Sequence, residues 1–210
     1  MENEDSSKIA DGVQTMPQTN PLLDADDPIP GLSGHTVGDF WQWAYSDILS
    51  NRNRSIFAEF IVGVALGVVD KPRVEWEPFD FQYGNFRIEV KSAAYVQNWK
   101  HKKLSTIRFD IGKALFWNRA KGEYEGKPTR CADLYVFCHY TERDKAKANV
   151  LHVPAWDFYV VSTAILNREF GEAKSLSLEA VKRVAAPCKW EGLKMAVVDQ
   201  VAATPQGASK

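Results

Sequence analysis

Hydrophobic and charged side chains alternate along "FDFQY" (79–83) and again along "FRIEVK" (86–91), with only Gly84 and Asn85 between the two runs. A two-residue Gly-Asn connection between runs of period two predicts a tight β-hairpin. Placing Tyr83 opposite Phe86 sets a register that pairs Gln82 with Arg87, Phe81 with Ile88, Asp80 with Glu89 and Phe79 with Val90. Side chains alternate along a strand, so Phe79, Phe81, Ile88 and Val90 form one apolar face, and Asp80, Glu89 and Lys91 share the other.

Elsewhere the pattern predicts an amphipathic helix over 38–49 and a second helix over 55–66. From Ile56 to Val69 this second segment is apolar or glycine on every side except at Glu59, which predicts a helix buried all round. A carboxylate there costs several kcal/mol unless a cation or hydrogen-bond donors meet it. Glu59 is therefore expected either to pair with Arg52 or Arg54 or to face a site. Residues 104–110 alternate as a strand, and 132–140 is apolar on both faces, as in a strand covered on both sides. Residues 156–166 read as a strand running into a helix capped near Ser162 or Thr163, and "SLEAVKRV" from Ser177 as a helix stopped before Pro187. The fold class is α/β.

Composition narrows the picture. The 210 residues are 45% hydrophobic, enough for one main domain, expected over 31–205. Residues 1–30 hold seven acids against the single Lys8, a net of −6, and read as a mobile acidic tail that would compete with an acidic ligand for a body of net +5. Cys131, Cys138 and Cys188 show no CxxC pairing, and no companion His stands at zinc-finger spacing; His35, His101, His139 and His152 are scattered. A reducing cytoplasm is the expected compartment, with no membrane partner.

From Trp99 to Arg130 nine Lys or Arg face three acids, with Trp99, His101 and Trp117 interleaved. Lys100, Lys102, Lys103 and Arg108 in this run are the candidate nucleic-acid contacts. Opposed carboxylates in the hairpin repel by about 3 kcal/mol at close range. Either Lys91 forms an ion pair there or a divalent cation sits between the oxygens; magnesium favours such oxygen ligands.

These residues resemble the PD-(D/E)xK nucleases, with Asp80 as the first acid and Glu89-Val90-Lys91 as the second half of the motif. The resemblance covers roughly residues 55–140 and extends to bacterial members with a similar "EVKSxxYxQxW" run. It departs from the motif in that Pro78 stands two residues before Asp80, which makes Glu75 and Glu77 substitutes for the first acid. It implies a restriction-endonuclease-like core, a central mixed β-sheet flanked by helices, and an Mg2+- or Mn2+-dependent endonuclease acting on DNA. Asp80, Glu89 and the Val90 carbonyl would hold the metal, Lys91 would act on the attacking water, and Glu59 and Gln97 would complete the site. Cutting both strands of a duplex suggests a homodimer. The alternative within the same fold is a domain that binds DNA or a protein without cutting.

Overall fold

A computed structural model describes residues 21–203 apart from Trp76, His101 and 119–121, and for 116–118 the backbone only. Helix α1 (Val37–Tyr45) begins at a capping box in which Thr36 and Asp39 satisfy each other's backbone amides. Helix α2 (Asn51–Leu66) starts one turn earlier than its apolar run, because Ser50 caps the Asn53 amide. The first 20 residues of the expected tail lie outside the described residues. Residues 24–30 fold back on the start of α1, with the Val37 amide donating to Asp27 O and that of Gly38 to Ala25 O.

The hairpin forms as the Gly-Asn signal predicts: β1 (Phe81–Tyr83) runs antiparallel to β2 (Phe86–Ala94), with Phe81 opposite Ile88 and Tyr83 opposite Phe86. Gly84 takes a φ of +57°, which the turn requires and a β-carbon would oppose. Strand β6 (Leu134–Tyr140) lies parallel to β2, and β7 (Trp156–Ser162) antiparallel to β6, giving a mixed sheet in the order β1-β2-β6-β7. All seven residues of β6 are buried, as its apolar sequence predicts. Arg87 and Asp133 lock the parallel register: the Arg87 guanidinium and amide donate to the Asp133 carboxylate at 2.8–3.0 Å, and the Asp133 amide returns a bond to Arg87 O.

Two cores sandwich the sheet. On one side Ile88, Val90, Leu134, Val136 and Phe158 pack against α2 and helix α5 (Trp190–Ala203). On the other, Ala93, Tyr135, Phe137 and Val161 meet β3 (Arg108–Asp110), β8 (Ser175–Ser177), α3 (Thr163–Phe170) and α4 (Leu178–Lys182). The cap expected near Ser162 or Thr163 is present on Ser162, and α4 starts at a cap on Ser177, where its helix was expected to begin.

Three expectations are corrected. The strand over 104–110 shrinks to three residues and pairs with β8 outside the main sheet, because its outer positions face solvent. Helix α2 is not buried all round: Phe60 and Val64 are exposed on the face turned away from the sheet. The β2–β6 connection, spanning 95–133, carries a hairpin of β4 (Ala114–Asn118) and β5 (Glu123–Thr129) that the charged, glycine-interrupted sequence did not announce. Among the described residues no helix is long and apolar enough to cross a membrane.

Close approach of α2 to the hairpin fixes where the site lies. A β-carbon on Gly63 would stand 2.6 Å from Val69 Cγ1 and 3.0 Å from the Phe81 ring. Gly63→Ala should therefore cost about 1–3 kcal/mol through overpacking, read as a lower urea midpoint at unchanged slope. An unchanged midpoint would show that α2 and β1 do not depend on this contact.

Candidate active site

Strand β1 begins only at Phe81, so the ladder leaves out Asp80, the residue before it. The Asp80 amide donates to Ile88 O at 2.9 Å, out of step with the β1–β2 pairing, so Asp80 does not stand squarely opposite Glu89 as the extended register predicts. Its carboxylate instead turns to the unpaired edge of β2 and accepts the Val90 amide at 2.6 Å. The N–H and C=O of one residue in an antiparallel strand point to the same side, so the Val90 carbonyl is directed off this edge too.

Glu89 and Lys91 share one face of β2, as alternation requires, and their side chains form an ion pair. Glu59 approaches from α2. Its partner is neither Arg52 nor Arg54 but Arg73, whose guanidinium grips both carboxylate oxygens and also reaches Glu75 at 3.2 Å. Arg52 points to Glu75, and Arg54 is buried against Leu49 O, Asn51 and Gln97. Sequence spacing favoured the residues one turn away, whereas the loop after α2 brings Arg73 across.

Asp80 is the electrically exceptional group. Burial first, then the charges of Glu89 and Glu59, push its pKa up to about 7, against the smaller pull of the Val90 amide and Lys91. Burial works to lower the pKa of Lys91, but Glu89, Asp80 and Asp110 outweigh it and hold the ammonium above its ordinary value. Glu89 and Glu59 thus act on Asp80 through their charge, with Lys91 and Arg73 as neighbouring cations, and among the described residues Asp80 is the acid of the three without an ion pair of its own.

The Glu89–Lys91 pair lies in the wall of a cavity of about 600 Å³. Pro78, Asp110 and Tyr135 also line it, as do Leu115 and Tyr124 of the β4–β5 hairpin. Sequence reasoning missed Tyr135, Tyr124 and Asp110; their only signal was that 135 and 137 share the face of β6 next to Glu89 and Lys91.

The other predicted residues lie in different settings. Gln97 is buried, accepts from Arg54 at 3.3 Å, and donates to Ala94 O and Ser105. Lys100, Lys102 and Lys103 are exposed on a loop pinned by Lys145, which donates to Asn98 O and Trp99 O. Arg108 is exposed and bonds Ser175. Arg130 is buried and structural, donating to Ile111 O, Gly171 O and Ala173 O. His101, Arg119 and Lys121 fall outside the described residues. His139 is buried against Tyr95, and burial lowers its pKa to about 4.

Hard oxygen donors at a strand edge suit magnesium or manganese, and the unrelieved charge on Asp80 is what a cation would satisfy. Among the described residues no three His, Cys, Asp or Glu side chains close into a ready cage. Asp80 and Glu89 would be two ligands and the Val90 carbonyl a third. Compared with known proteins, the chain matches no family model and no curated protein.

A carboxyl whose folded pKa exceeds its unfolded value contributes most to stability while both states are protonated. That contribution is lost as pH rises through the folded pKa. In chelator, Asp80→Asn should raise the melting temperature at about pH 8, and the gain should shrink toward about pH 5 as native Asp80 takes up its proton. A variant less stable at the higher pH would mean that Asp80 is a structural acceptor, and its charge no burden.

Proposed function

We propose that the protein is a metal-dependent nuclease of the PD-(D/E)xK type, hydrolysing phosphodiester bonds in DNA on a restriction-endonuclease-like core. The observation that carries the reading is the buried, charge-strained Asp80 held at the open edge of β2, beside Glu89 and next to a protonated Lys91. The mixed sheet supports it: the strand bearing Glu-Val-Lys pairs with the Asp80 hairpin strand on one side and runs parallel to the buried strand 134–140 on the other.

Asp80, Glu89 and the Val90 carbonyl would hold magnesium or manganese. Such an ion, when bound, lowers the pKa of a water and offsets charge on the phosphate. The chain's own groups do the rest. Lys91 stays charged at neutral pH and can donate to the nucleophilic water or to the negative charge building on the phosphoryl oxygens. Glu89 aims that ammonium through their ion pair. Glu59, held by Arg73, adds to the negative field at Asp80 without being free to move there. Tyr135 and Phe137 stack at 5.9 Å and stiffen the floor beneath the pair.

A second reading is a domain of this fold that binds DNA or a protein without cutting. It is favoured by one observation, that Glu89 and Glu59 each already have a cation in contact. Incubation of purified protein with single-stranded, linear, supercoiled and branched DNA, with and without magnesium or manganese, separates the two. Metal-dependent products are expected, and none from any substrate would leave only the binding reading.

Lys91→Ala should reduce cleavage by about a hundredfold or more, because a charge that stabilises the transition state is removed. Manganese should still bind that variant in calorimetry, since Lys91 is not a ligand. Retained cleavage would remove Lys91 from the mechanism.

A further inference from the structure

The geometry points to an unpaired DNA strand, and not an intact duplex, as the form that enters the site; this rests on the nuclease reading above. Glu89 and Lys91 are only 18% and 31% exposed, so a phosphate reaching them must come into the recess. The recess holds about 600 Å³, the size of a small-molecule pocket, room for one or two nucleotides but not for a stacked pair of strands. The β4–β5 hairpin adds the exposed Leu115 and Tyr124 to a lining that also holds Glu89 and Lys91. A cavity lined by an apolar and an aromatic side chain together with an ion pair matches one nucleotide, with its base against the ring and its phosphate near Lys91.

Charge supports the same conclusion. Glu77, Glu89 and Asp110 line the cavity against Lys91 and the committed Arg130, so the interior opposes the dense phosphates of a duplex and tolerates one phosphate delivered beside a cation. The segment 95–133 builds both the wall and the loop carrying Lys100, Lys102 and Lys103, so a strand leaving the recess meets protein from the same excursion.

The test is fluorescence anisotropy with a short labelled single strand and the same sequence as a blunt duplex, in calcium, which takes oxygen ligands like those of magnesium. The single strand should bind at least tenfold tighter than the duplex. Tyr124→Ala should weaken it about tenfold, the effect of losing one base–aromatic stack, while Tyr124→Phe should keep it. Glu89→Gln should remove the calcium dependence of binding. Equal or tighter duplex binding, or a Tyr124→Ala protein that binds as the parent does, overturns the inference. Cleavage in magnesium keeps the two ideas apart. A single strand that binds through Tyr124 but is never cut defeats the nuclease reading and leaves this one. A duplex cut in preference to the single strand defeats this one and leaves the nuclease reading.

Discussion

The hydrogen bond from the Val90 amide to the Asp80 carboxylate is the contact on which the site depends. It exists because β1 begins only at Phe81 and leaves the edge of β2 open at Val90. One amide cannot balance a buried carboxylate flanked by two others, so the acid resists ionisation up to near-neutral pH. The sheet tolerates this because its two faces are secured elsewhere. Val62 and Ile88 are fully buried on the α2 side, Phe137 and Val161 on the other, and Arg87–Asp133 clamps the parallel register. Strain of this kind, carried by a rigid frame, is the condition in which a cation gains most from binding.

The parallel pairing of β2 with β6 shapes what can reach the Glu89–Lys91 pair. Parallel neighbours need a long crossover, here made of β3 and the β4–β5 hairpin, where a helix is the usual solution. That crossover covers the Glu89–Lys91 face and converts a strand surface into a cavity. On the opposite face α2 presses Gly63 against Phe81 and carries Glu59 toward Asp80. Fold and site are thus set by the same two packings, α2 on the hairpin and the crossover over β2.

The hairpin register from 81 to 88 was legible because Gly84-Asn85 and strict alternation agree. So were the cap at Ser162, the helix beginning at Ser177, and the buried strand 134–140. Asp80 itself was legible as a member of the cluster but not in its geometry, since nothing local announces that the ladder starts one residue after it. Arg73 as the partner of Glu59 depends on a loop path that no spacing rule encodes. The β4–β5 hairpin was hidden because Glu123, Glu125 and Lys127 interrupt the apolar positions of its second strand, and α5 because part of its partner surface is α2, far away in sequence.

Manganese titration of metal-stripped protein by calorimetry tests the central claim most directly, that Asp80 and Glu89 form one cation site relieving a buried charge. Saturable binding by the parent is expected, with its loss in Asp80→Asn and in Glu89→Gln, and proton release on binding near pH 7, because a half-protonated Asp80 must ionise to become a ligand. Binding that survives both substitutions, or is absent from the parent, would contradict it.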